Sequence, residues 1–202
     1  MSTAAKPAAP GRRPDGEAKR LQILDAAVKV FGAGGSAALT HRSVAAAAGV
    51  PLGSTTYYFK GRDDLVRQTV HHAMTVEGER LRGIVDAFTG PLTVETSTTV
   101  LTEMFLDKTE ADPDYDLALF ELFMEATRNQ NAREETRAWT VLLADLIDRV
   151  LVPTRPEVPR PVAVQIVAAA VDGLMLEAVA NRQLTLADLR EHLLTVIKAL
   201  AA

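Results

Sequence analysis

The chain contains no cysteine in its 202 residues. That absence excludes a disulfide framework, a cysteine-ligated zinc or iron–sulfur site and a thiol nucleophile, and it favours a cytoplasmic protein. Long apolar runs are missing too. The longest, such as Ile166 to Val171, stop far short of the ~18 residues that suggest a membrane span. Strand-like runs with period-two alternation are absent, and apolar residues recur instead at three and four positions, so the pattern predicts an all-α chain.

Catalytic signatures are equally thin. Gly32-Ala-Gly-Gly35 is not followed by Gly-Lys-Ser/Thr and ends a helix, so it is not a phosphate-binding loop. His71 and His72 are adjacent and lie about 100° apart on a helix, which cannot present both to one metal, while His41 and His192 have no partner at ligand spacing. All four read as surface histidines. The acid pairs Asp112/Asp114 and Glu134/Glu135 fall at expected helix starts, where the helix dipole accounts for them. No enzyme activity, cofactor or metal is expected.

The net charge of −4 conceals an asymmetry. Residues 1–62 hold nine Lys/Arg against three acids, and the remainder holds thirteen against twenty-three. A basic head on an acidic body suits a polyanionic partner for the head alone. Residues 1–16 are rich in Ala and Pro, lack the apolar core of a signal peptide, and read as a disordered basic arm.

From Glu17, the residues Leu24, Ala27, Val28 and Phe31 share one helical face, and the stripe ends at the glycine cluster. Thr40 is a good N-cap for His41 to Ala48, with Ser43 where a capping box usually has Glu or Gln. Gly49 is free to take positive φ, and Pro51 suits the first turn of a helix running to Tyr58. Two short helices therefore meet across a tight turn, with Ala45 small enough for close crossing and Val44 and Val50 sealing it against Leu39 and Phe31. Leu52, Gly53, Ser54, Thr56, Tyr57 and Tyr58, followed by Lys60, remain to face outward. Hydroxyls, an ammonium and exposed helix N-termini are what phosphate contacts require. A long helix is expected from Arg62-Asp63-Asp64, with later breaks at 90–91, 112–114, 129–131, 153–161 and 181–183.

Phe31 to Gly35, Leu39-Thr40, Val44 to Val50 and Gly53-Ser-Thr-Thr-Tyr-Tyr-Phe-Lys60 with Leu65 resemble the TetR family of bacterial transcriptional regulators. The resemblance covers about residues 17–77. It implies that Thr40 and Lys60 touch phosphates, that Leu52, Gly53 and Ser54 approach base edges, and that Tyr57 and Tyr58 clamp the DNA backbone. Arg42 and Thr56 are further candidate contacts. The family usually carries an apolar residue and then an aromatic where this chain has Thr55-Thr56.

In the acidic body, the stripes Leu117, Phe120, Met124 and Trp139, Leu142, Leu143, Leu146, Val150 read either as ordinary core or as part of an adaptable apolar pocket. By resemblance, the effector binds among these helices, with Phe105, Phe120, Met124 and Trp139 the candidate lining. No cluster of buried charges identifies the ligand. Val162 to Ala180 is apolar almost all round, and Thr185 to Asp188 opens a helix with Leu186, Leu189, Leu193, Val196/Ile197 and Leu200 on one stripe. Such a pair suits a two-fold four-helix interface, which is how the family dimerises.

The expected architecture is about nine helices: an arm (1–16), a three-helix DNA-binding head with a helix-turn-helix (17–62), and an effector-binding and dimerisation bundle (63–202). The expected function is a homodimeric regulator of transcription, a repressor released from its DNA operator by a small apolar effector, in the cytoplasm and without a membrane partner. The alternative is a helical small-molecule binding protein or enzyme whose head is vestigial.

Overall fold

The computed structural model describes residues 14–111, 117, 120, 121, 123–125, 127, 130–181 and 185–202. Residues 1–13 of the expected arm and the break at 112–114, with Asp112 and Asp114, lie outside these residues; positions 14–16, expected in the arm, are instead the first residues of a helix. The helices are α1 (Pro14–Ala38), α2 (His41–Ala48), α3 (Leu52–Tyr58), α4 (Arg62–Ala87), α5 (Val94–Ala111), α7 (Gln130–Val150), α8 (Arg160–Asn181) and α9 (Leu186–Leu200). The helical residues between 117 and 125 form α6. The described residues contain no strand, only an isolated bridge between Thr154 and Ala201. The chain is all-α, a helix-turn-helix head followed by a helical bundle.

The head is built by local rules that close on one another. Ile23, Leu24, Ala27 and Phe31 of α1 are buried, and helical geometry breaks at Gly34 and Gly35, the latter with φ 63°. A left-handed conformation of that kind favours glycine. Thr40 Oγ1 accepts the Ser43 amide at 3.1 Å, and Ser43 Oγ accepts the Thr40 amide at 3.0 Å, so the serine completes a capping box in place of the usual acid or amide. Gly49 ends α2 at φ 65° and donates back to the carbonyls of Ala45 and Ala46. Pro51 stands at the N-cap of α3, outside the first helical turn, because its ψ of 144° is extended.

Side chains then tie the three helices together. Gln22 of α1 donates to the Ala48 carbonyl of α2 at 2.9 Å, and Arg62 at the start of α4 donates to the Ser36 carbonyl. The backbone amide of Lys60 donates to Asp64 Oδ2 at 2.9 Å, closing the corner between α3 and α4. Burial raises the Asp64 pKa, but hydrogen bonds from Gln68, the Lys60 amide and Arg67 outweigh that and hold the carboxyl below its ordinary range.

In the bundle, α4 packs against both α1 and α7, and α5, α8 and α9 pack against one another. Leu189, Leu193, Ile197 and Leu200 of α9 are all buried within the protomer. The apolar stripe expected at a subunit interface is therefore consumed by the chain's own core, because α5 and α8 cover it. The break expected at 129–131 is also displaced, since α7 begins at Gln130. Glu134 and Glu135 accordingly lie beyond its first turn.

Helix α8 is apolar and long enough to cross a membrane by length and composition alone, and only 28% of that stretch is buried. Ala163, Val164, Val167, Val171 and Met175 face the core, while Val162, Ile166 and Leu176 stay exposed at 44, 42 and 50%. One side of α8 is used inside the chain; the other is an open apolar stripe.

Candidate functional site

The outer surface of the head presents most of the residues singled out from the sequence. Thr40, Arg42, Leu52, Gly53, Thr56, Tyr57 and Lys60 are exposed, and Ser54 and Tyr58 half-buried. Tyr57 is 82% exposed, an unusual position for an aromatic side chain on a folded surface. Its ring meets Tyr58 edge-on at 5.0 Å and 84°, which holds it upright.

The two tyrosines are not equivalent. Tyr58 packs against the core with its hydroxyl beside Gly16 of α1, so it acts as a buttress, and Phe59 below it is buried. Gly53, Ser54, Tyr57 and Tyr58 line a shallow depression with Pro51 and Lys19. Lys19 of α1 adds an ammonium at the edge of this depression.

Thr55 and Thr56 have separate tasks. Thr55 is fully buried, and its Oγ1 donates to the Leu52 carbonyl at 2.9 Å and the His41 carbonyl at 3.3 Å. It fills the position usually apolar in the family and clasps α3 to α2. Thr56 is exposed, and its hydroxyl turns back to the Gly53 carbonyl at 3.2 Å.

A second site lies in the bundle, where five helices contribute two residues each. Glu77 and Leu81 of α4, Met104 and Phe105 of α5, Phe120 and Phe123 of α6, Trp139 and Leu143 of α7, and Asp172 and Met175 of α8 enclose a cavity of about 30 Å³. That is room for little more than one or two waters. A ring-sized ligand must part the walls to enter.

Three of the four lining residues expected from the sequence, Phe105, Phe120 and Trp139, are there. Met124 is not: it is 54% exposed. Successive residues advance 100° around a helix, so Phe123 and Met124 fall on opposite sides of Phe120, and the cavity lies on the Phe123 side. The sequence pointed to no cluster of buried charges; Glu77 is nonetheless buried in the wall. Arg80 holds it, its Nε at 3.0 Å and 3.1 Å from the two carboxylate oxygens and its Nη2 at 2.6 Å from one of them.

Polar contacts join this cavity to the head. His72 of α4 meets Asp25 of α1 at 2.7 Å, and its neighbour His71 meets Glu135 of α7 at 3.0 Å. The histidines are thus not merely solvated: adjacent positions pointing about 100° apart bind helices on two sides of α4. Glu121, next to Phe120, lies against the glycine break of α1, where a Cβ added to Gly35 would come within 2.8 Å of its carboxylate. Gly78 marks the close approach of α4 to α7, since a Cβ there would meet Leu142 at 2.9 Å and Trp139 at 3.8 Å.

Comparison with known proteins bears on both sites. Residues 23–69 match the family described as bacterial regulatory proteins, tetR family, and residues 92–202 match the tetracyclin repressor-like C-terminal domain. A solved TetR-family member from Streptomyces coelicolor A3 shares 28% identity, with a TM-score of 0.69 over 88% of this chain and 97% of that one. The multidrug-binding protein EbrR, solved with proflavin, shares 28% identity, with a TM-score of 0.62 over 90% of this chain and 98% of that one. A transcriptional regulator from Rhodococcus sp. Rha1 has the same fold, with a TM-score of 0.75 at 19% identity over 89% and 94% of the two chains. Among curated proteins none matches.

Proposed function

The chain belongs to the tetR family of bacterial regulatory proteins and is a DNA-binding transcriptional regulator with a ligand-binding body, and we propose that it works as a homodimeric repressor released from its operator by a small, largely apolar effector. The division of labour is an arm ahead of α1, a DNA-binding head from α1 to residue 62 and an effector-binding and dimerisation bundle at 63–202. It is a regulator rather than an enzyme, acting in the bacterial cytoplasm without a membrane partner.

On DNA, α3 enters the major groove. Leu52, Gly53 and Ser54 approach base edges, Tyr57, Lys60, Thr40 and Arg42 hold the backbone on either side, and Thr56 sits between them. Tyr58 keeps Tyr57 in place, and Lys19 adds to the phosphate contacts. The open stripe of Val162, Ile166 and Leu176 on α8 supports a two-fold interface formed by the last two helices. In that interface α8 brings the apolar contact and the polar outer face of α9, with Arg190, Glu191 and Lys198, forms the rim. Such a dimer sets its two recognition helices about 34–36 Å apart, one helical turn of DNA.

The observation that carries the reading is the continuity of α4. This single helix packs against the head through α1 and, half-way along, supplies Glu77 and Leu81 to the cavity wall. A ligand that parts α4 from α7 tilts the helix that carries the head, so it favours a spacing of the recognition helices that no longer fits the operator. The likeness to a proflavin-bound multidrug-binding protein supports an aromatic ligand.

The test is a gel-shift titration on the DNA upstream of the protein's own gene, at several salt concentrations. Specific binding that weakens steeply with salt is expected. Absence of binding at low salt would return the chain to the alternative of a binding protein with a vestigial head.

A further inference from the structure

The cavity walls are mostly apolar and aromatic, but two of the ten lining residues are acids and none is a base. The first acid is answered within the chain, because Arg80 brackets the Glu77 carboxylate and is itself anchored on the Met104 carbonyl. The second is not. Asp172 of α8 stands exposed at the mouth, and among the described residues no hydrogen bond or ion pair reaches it. Burial among the surrounding helices pushes its carboxyl above the ordinary range, with no opposing cause.

A carboxylate at the mouth of an apolar cavity, with no partner among the described residues, favours the arrival of a cation. Aromatic faces attract the same kind of ligand, since the ring quadrupole is negative above and below its plane. Phe105, Phe120, Phe123 and Trp139 supply four such rings beside Asp172. An anionic ligand, such as a carboxylate with an apolar tail, would meet two acids and, among the described lining residues, no base. Taking the cavity to be the effector site, as the proposed function does, we infer that the effector is an organic cation, a flat aromatic cation or an ammonium on an aromatic body. Its charge rests at Asp172 and its rings lie among Phe105, Phe120 and Trp139.

The experiment titrates the full-length protein by calorimetry with proflavin, cationic at neutral pH, and with acridine, its neutral parent, while following the fluorescence of the chain's one tryptophan. Proflavin is expected to bind roughly tenfold or more tightly than acridine. Asp172→Asn, which keeps the shape and removes the charge, abolishes most of that preference and leaves acridine unchanged. The preference also fades as the pH is lowered far enough to protonate Asp172. Equal affinities for the two dyes, a preference that survives Asp172→Asn, or a loss that falls on both dyes alike overturns the inference and leaves the cavity as effector site. If neither dye binds, or if Trp139→Leu leaves both titrations unaltered, the cavity is not the site and the inference falls together with the reading beneath it.

Discussion

The head and the body of this regulator solve opposite problems with the same kind of helix. In the head, short helices are fastened by polar contacts with defined partners: Thr40 with Ser43, Thr55 with the His41 carbonyl, Gln22 with the Ala48 carbonyl, and Lys60 with Asp64. Each contact fixes an angle, as a surface that must match a DNA groove requires. In the body, five helices lean together through large apolar side chains around a space too small for a ring. Apolar packing is less directional and can be re-made in another arrangement, so it suits a wall that must part. Rigidity belongs to the reading surface, adaptability to the sensing one.

Substitutions can break this contrast, and the largest effect is expected where both halves depend on a third element. Leu176→Glu places a carboxylate with no partner in the proposed α8 interface, at a penalty of several kcal/mol. Sedimentation is expected to show a monomer, with operator affinity reduced by orders of magnitude because one head alone binds a half-site. A folded wild-type monomer at micromolar concentration would remove the interface from α8.

Changes at the reading surface come next. Tyr57→Ala is expected to weaken DNA binding by roughly one to three kcal/mol, the range of a good contact, with no change in melting temperature because the side chain is exposed. Lys60→Ala should weaken binding to all sequences alike and reduce the slope of affinity against salt by about one phosphate contact. If both variants bind as the wild type does, α3 is not the recognition helix.

The sensing wall should behave in the reverse manner. Trp139→Leu or Phe120→Ala is expected to leave DNA binding near normal while impairing release by ligand. Equal loss of stability, binding and release would make these residues ordinary core. Gly78→Val sharpens the same point, since a side chain there drives α4 from α7 as a ligand would. Its gel shift is expected to show operator affinity reduced several-fold without any ligand, and unchanged affinity would show that α4 does not carry the signal.

The smallest effect is a test of the fastened corner. Hydrogen bonds lower the Asp64 pKa in the folded state, so the group stabilises the fold above its unfolded pKa, and that contribution is lost as the pH falls through the folded value. Asp64→Asn is therefore expected to lower stability by about 1 kcal/mol near neutral pH, and the gap from wild type should close in acid. Thermal melts of the two proteins across that range measure it.

Much of the head was legible from the sequence because its decisive contacts are local. A cap three residues from its partner, a glycine after the last turn and a threonine before the first all lie within one helical turn, where backbone geometry dictates who meets whom. The capping box of Thr185 with Asp188 was visible for the same reason. The cavity was half legible: aromatic residues in amphipathic helices announce burial, but a stripe does not name the surface it will face. Met124 and Phe123 differ by one residue and lie about 100° apart on the helix, so Phe123 lines the cavity and Met124 is exposed. The α9 leucines, readable as buried, proved to be buried against α5 and not against a second copy.

The sequence by itself determined the helices, their caps, the all-α class and the chemistry of the reading surface, since these follow from periodicity and from residues within a few positions of one another. Only the tertiary structure decided that Glu77 and Asp172, ninety-five positions apart, share one cavity. It alone decided that Arg80 answers the first while no described residue answers the second, and that two adjacent histidines hold α4 to different helices. Those pairings depend on how helices cross, and crossings are set by the summed packing of many apolar side chains, none of which carries in its own position the identity of its neighbour.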